Sequence, residues 1–186
     1  MNERAPEGDR SLAALRDRMS MPLEEAMLTQ RAVRRVLPDP VDDALVLRCI
    51  ELALRAPTGS NGQNWEFVIV TDPEPKALLA KRYRQAWSIY GTLGRRMNRK
   101  NPSMLKVLDA VQWQVDNFEQ IPTLVVPCLK GSRVPLMPSP PIGPSSYYGS
   151  IYPSVQNLLL AARSVGLGAS LITLPLLIGL SLAAFM

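Results

Sequence analysis

The sequence predicts helices packed around a sheet, an α+β or α/β domain, and three observations carry that expectation. Apolar residues recur at helical spacing in several stretches, short β-rich apolar runs at 67–71 and 121–126 lie between them, and a further apolar run follows at 169–173. At 186 residues, with 47% hydrophobic and 20% charged residues, the chain has the length of one domain and can bury a core without disulfide or metal staples.

Residues 1–20 are charged and weakly periodic, which predicts a mobile or partly helical extension ahead of a single domain at 21–186. A short helix is expected over 22–33, with Pro22 at its start and Glu24 and Glu25 in the first turn, where the helix dipole favours carboxylates. Leu37-Pro-Asp-Pro40 must be irregular, because each proline drives the preceding residue out of the α region. Asp42 or Asp43 then caps a helix reaching about residue 55, with Leu47, Ile50 and Leu54 on one apolar face and Pro57 beyond its end. The runs at 67–71 and 121–126 read as buried strands, and two or more helices between them hold Tyr83, Trp87, Tyr90 and Trp113. Pro138, Pro140, Pro141 and Pro144 make 136–144 a loop. A helix over 146–165, with Val155, Leu158, Leu159 and Ala162 on one face, stops at Gly166, and 169–173 forms a third strand.

Composition excludes several chemistries. The chain has no histidine, which removes Ser-His and Cys-His nucleophile pairs and any His-ligated zinc. Cys49 and Cys128 stand far apart without a CxxC partner, so no disulfide framework or metal site is signalled and a reducing cytoplasm is expected. Residues 1–18 mix both charge signs and lack an apolar h-region, so secretion is not expected. The net charge of +5 gathers partly in nine Lys or Arg residues from Lys76 to Lys106, a stretch without Asp or Glu. No RNP-like or zinc-finger pattern accompanies it, and a solvated helical face is the expected reading over a nucleic-acid surface.

Two stretches carry candidate chemistry. Arg31-Ala-Val-Arg34-Arg35 places three guanidiniums where a helix runs into a proline-rich turn. Guanidinium forks match phosphate oxygens and stay charged, although an exposed basic turn has the same composition. Ala56-Pro-Thr-Gly-Ser-Asn-Gly-Gln-Asn-Trp65 sets hydroxyls, amides and glycines between a buried helix and a strand. Such groups can hydrogen-bond a flat heteroaromatic edge or simply close a turn.

Taken in series, these stretches resemble the nitroreductase family, whose pattern is an Arg-rich turn, Pro-Asp-Pro-Val, a helix, then Ala-Pro-Ser-x-x-Asn-x-Gln-Pro-Trp and a strand ending before Asp-Pro. Here they read Gln30-Arg31-Ala32-Val33-Arg34, Pro38-Asp39-Pro40-Val41, Ala56 to Trp65, and Phe67 to Pro73. A helix carrying Ser154-Val-Gln-Asn157 and exiting through Gly166-Leu-Gly168 resembles the family's late helix. The resemblance implies an α+β fold in three layers, with a central, mostly antiparallel sheet flanked by helices. It also implies an FMN-dependent oxidoreductase that takes hydride from NADH or NADPH at flavin N5 and reduces a nitroaromatic, quinone or similar electron-poor small molecule by a ping-pong cycle. The flavin would carry the chemistry, with no catalytic side chain and no metal required. By matched position Arg31, Ala32 and Arg34 would hold the FMN phosphate. Thr58, Gly59, Asn61 and Gln63 would line the ribityl chain and isoalloxazine, and Ile172, Thr173 and Leu174 would contact the flavin's other side. A homodimer is implied, with neither nucleic acid nor membrane as partner. Gln30, Ala32 and Asn64 depart from the family's usual arginine, serine and proline, which predicts a weaker phosphate grip that Arg35 could offset.

Residues 164–186 carry no charge, and family members usually continue with a further strand and a basic residue reaching the phosphate. A shortened or altered end is therefore expected. Pro175 and Gly179 interrupt the stretch, so a membrane span is the lesser expectation although length permits one. Two alternatives follow: a non-catalytic or flavin-deficient relative lacking that strand, and a basic membrane- or nucleic-acid-associated protein.

Overall fold

A computed structural model describes residues 19–130 and 148–177. The expected extension before residue 19, the proline loop at 136–144 and the apolar tail after 177 lie outside the described residues. In chain order the elements are α1 (Leu23–Thr29), α2 (Asp43–Ala53), β1 (Trp65–Val70), α3 (Pro73–Met97), α4 (Pro102–Asp116), β2 (Leu124–Leu129) and α5 (Tyr152–Ser164). Short 3-10 turns lie at Gly59–Asn61, Phe118–Gln120 and Leu174–Leu177. Helices with a small antiparallel sheet make this an α+β protein, and the described chain divides into two compact units.

The first unit holds residues 19–31, 41–64 and 148–168. α1 begins after Pro22 with Glu24 and Glu25 in its first turn, and it stops at Thr29, four residues short of the expected end. Gln30 has already left helical geometry (φ −61°, ψ 132°), and Arg31 Nη1 donates to the open carbonyls of Leu28 (2.9 Å) and Gln30 (2.7 Å). Asp42 is the cap of α2, its carboxylate accepting the Ala44 N–H at 2.9 Å. The buried face of α2 is Leu45, Val46, Cys49, Ile50 and Ala53, while Leu47 and Leu54 are exposed, which corrects the expected stripe. α2 is apolar on most of its circumference, so spacing alone could not select a face. Packing against α5 selects it, because α5 offers small residues, Ser154, Ala161 and Ala162, for close approach. α5 ends as expected at Gly166, whose φ of 82° suits glycine. The Gly166 N–H reaches the Arg163 carbonyl (3.1 Å) and the Leu167 N–H the Ala162 carbonyl (2.9 Å), a Schellman closure. Arg163 Nε also donates to Thr29 Oγ1 at 2.9 Å, tying α5 to the end of α1.

The second unit holds residues 32–40, 65–130 and 169–177. β1 and β2 pair antiparallel, from Trp65 opposite Leu129 to Val70 opposite Leu124. Relative to the expected strands, β1 starts two residues earlier and β2 runs three residues later. Pro122 has no N–H for a ladder, and the Ile121 and Pro122 carbonyls are taken by the Lys76 ammonium (3.0 and 3.5 Å). Both strands are only half-buried over most of their length, not the fully buried type. The long helix α3 opens with Pro73 at its first position and Glu74 in its first turn. Its buried residues Leu79, Ala80, Tyr83 and Trp87 meet Leu108, Val111 and Val115 of α4 and Phe118 just beyond it. Tyr83 stands edge-on to Phe118, ring centroids 5.4 Å apart, and Trp87 Nε1 donates to Gln112 Oε1 at 2.6 Å.

The expected third strand at 169–173 is not formed. Ala169 makes a single parallel bridge to Ala32, with the Val33 N–H donating to the Ala169 carbonyl at 3.1 Å. The chain then turns into the 3-10 segment at Leu174, where Pro175 offers no donor to extend a ladder, and Ile172 and Leu174 pack against the α3/α4 cluster. The basic run from Lys76 to Lys106 is largely a solvated face, with Arg84 paired to Glu119 (2.9 Å) and Arg95 to Asp109 (2.7 Å). Lys76 departs from that reading, since it is buried and its ammonium closes the turn before β2.

Candidate functional site

In the first unit the loop after α2 gathers Thr58, Gly59, Asn61 and Gln63. Thr58 is half-buried and its Oγ1 accepts the Gln63 N–H at 3.2 Å, while Gln63 Nε2 donates to Asn61 Oδ1 at 3.1 Å. The loop is thus braced by its own side chains, with Asn61 and Gln63 exposed. Ser60, Asn61 and Gln63 hold positive φ (52°, 53° and 49°), whereas Gly62 has an ordinary φ of −67°. The left-handed turns fall beside the glycines and not on them, a strain of about 1 kcal/mol or more per residue that surrounding contacts must hold. One such contact escaped the sequence reading: the Gly59 N–H donates to Ser150 Oγ at 3.1 Å, pinning the loop to the turn before α5. No spacing rule links positions so far apart. Arg31, at the end of α1, commits both Nη1 hydrogens to backbone carbonyls, and its other donors have no partner among the described residues.

In the second unit the bridge between Ala32 and Ala169 brings the arginine turn beside the segment carrying Ile172, Thr173 and Leu174. Arg34 is half-buried, its Nη1 making a long bond to the Ala32 carbonyl (3.4 Å). Ile172 and Leu174 turn their side chains to the core, and Thr173 between them is exposed. From these two residues a ligand at this segment would therefore meet backbone, and from Thr173 a hydroxyl.

The titratable groups leave little room for side-chain nucleophiles. Burial pushes the Cys49 thiol up to about 11 against the pull of Arg48, and burial with the neighbouring Glu66 raises that of Cys128. Neither is a ready thiolate at neutral pH. Burial likewise raises the Tyr83 phenol to about 12, with the Arg34 guanidinium pulling the other way. Among the described residues no group of three His, Cys, Asp or Glu is placed to hold a metal ion, and no helix is long and apolar enough to cross a membrane. At the ten candidate positions the polar side chains are guanidiniums, amides and hydroxyls, groups able to hydrogen-bond a ligand.

The sequence pattern of the Nitroreductase family matches residues 27–183, most of the chain. The chain belongs to the nitroreductase family. A stretch of 54 residues is 44% identical to NADH dehydrogenase of Thermus thermophilus, covering 29% of this chain and 26% of that protein. The match thus spans about a quarter of that relative's length. Among solved structures, oxidised iodotyrosine deiodinase bound to FMN and 3-iodo-L-tyrosine shares the fold with a TM-score of 0.58 at 22% identity, over 82% of this chain and 74% of that one. A BluB-like flavoprotein from Clostridium difficile 630 does so with a TM-score of 0.53 at 21% identity, over 79% and 72%. The α+β nitroreductase fold expected from the motif series is therefore the fold of this chain.

Proposed function

We propose that this chain is an FMN-dependent oxidoreductase, which uses NADH or NADPH to reduce a nitroaromatic, quinone or other electron-poor small molecule by ping-pong turnover. It would work as a homodimer in a reducing cytoplasm. The observation that supports this most is the family match over residues 27–183, which includes all ten candidate cofactor residues. The donor chemistry fits FMN: cations with spare N–H groups for a phosphate, and a braced loop of amides and hydroxyls for a polar heteroaromatic edge.

In this reading Arg31 and Arg34 hold the phosphate, and the backbone of Ala32 adds a polar contact. Thr58, Gly59, Asn61 and Gln63 line the ribityl chain and ring edge. Ile172 and Leu174 present backbone, and Thr173 a hydroxyl, to the opposite side. Bound FMN would supply the electron transfer. The protein's part is binding, orientation and exclusion of water, so the lack of histidine and of an accessible thiolate is no obstacle.

Arg34 gives the cleaner test, because Arg31 also caps α1. Removing one charge-assisted phosphate contact costs about 1.5–3 kcal/mol, so Arg34→Ala should weaken FMN binding roughly ten- to hundredfold in a fluorescence titration. Unchanged FMN affinity in that variant would remove Arg34 from the site.

A further inference from the structure

A buried polar chain runs through the second unit, and no part of the FMN reading uses it. Tyr83 of α3, 1% exposed, donates its hydroxyl hydrogen to Gln114 Oε1 at 3.3 Å, and Gln114 of α4, 4% exposed, donates through Nε2 to Ser170 Oγ at 2.9 Å. A buried carboxamide is expensive to leave unpaired, and here each end of it is spoken for by a different segment of chain. Ser170 follows directly on Ala169, whose bridge to Ala32 and bond from the Val33 N–H align the arginine turn with the segment leading to Thr173. Beyond that bridge the segment forms no ladder among the described residues, and Ile172 and Leu174 hold it to the α3/α4 cluster by apolar contact, which resists sliding poorly. The Gln114–Ser170 bond is directional and supplies the missing constraint.

We propose that Gln114 is a positioning residue: clamped by Tyr83 and anchored to Ser170, its carboxamide fixes the register of residues 169–174 against the arginine turn. Arg34 and Thr173 are thereby held at a set spacing for the ligand they serve. The functional half of this inference rests on the FMN reading, while the structural half does not.

The test uses full-length protein with Ser170→Ala, which removes the anchor while leaving the Tyr83–Gln114 bond, and Ser170→Thr, which keeps a hydroxyl. Amide hydrogen exchange followed by NMR, without any cofactor, reads the bridge at the Val33 N–H. Loss of one neutral hydrogen bond should speed exchange there roughly five- to tenfold in Ser170→Ala. The amides of α4 between Leu108 and Val115 should be unchanged, and Ser170→Thr should restore most of the protection. Unchanged exchange at Val33, or a rise shared equally by α4, overturns the positioning role. FMN titration of the same proteins separates the two readings. A several-fold weaker Kd in Ser170→Ala, recovered in Ser170→Thr, supports the full proposal. Local loosening at Val33 in a protein that binds no FMN even unmutated supports the positioning and overturns the flavin reading instead.

Discussion

Gly166 shows how much a single position can decide. At φ 82° it lets α5 close on its own carbonyls, and any side chain there must adopt the left-handed region. Gly166→Ala should therefore cost about 1–2 kcal/mol, read as a lower urea midpoint with an unchanged slope. Nothing lies within 4 Å of the Cβ that the alanine would add, so the loss would report backbone conformation and not crowding. Tyr83 makes a pH prediction. Its folded pKa, raised by burial to about 12, lies above the ordinary phenol value of 10.0. The neutral phenol is thus favoured by the fold, and its contribution to stability is complete below about pH 10 and disappears as pH rises through 12. Absorbance titration should show one tyrosine ionising last, near pH 12, and Tyr83→Phe should abolish that step.

At the level of elements, α3 carries a glycine in its interior for a steric reason. A Cβ on Gly91 would lie 2.7 Å from Trp87 Cε2, so the indole ring folds over the gap that glycine leaves. Gly91→Ala gains helix propensity but overpacks the core, and a net loss of about 1–3 kcal/mol is expected in thermal unfolding. Helix existence was legible from the residues, because Asp42, Pro22 and Gly166 are local signals and the apolar period is long. Faces and strands were less so. Leu47 and Leu54 fit a helical stripe as well as Leu45 and Ala53 do, and only α5 breaks the tie. The strand expected at 169–173 has the right residue types, yet a strand exists only where a partner offers a ladder, and Ala32 offers one bridge.

For the molecule as a whole, the arginine turn and the loop from Ala56 to Trp65 were each ambiguous alone. Their order and spacing identified the family, since a series of motifs constrains the chain far more than any one. The long-range side-chain contacts of the fold were not legible. Ser150 meets Gly59 across 91 positions, Gln114 meets Ser170 across 56 and Lys76 meets Ile121 across 45, and such pairings are products of the fold. In the proposed function these parts together serve a flavin. A visible absorption spectrum of the purified chain incubated with FMN and freed of excess, taken anaerobically before and after NADPH, tests it most directly. Retained flavin absorption that NADPH bleaches, and that an added quinone restores, is the predicted result. A protein that retains no FMN, or holds FMN that neither NADPH nor NADH reduces, would contradict it.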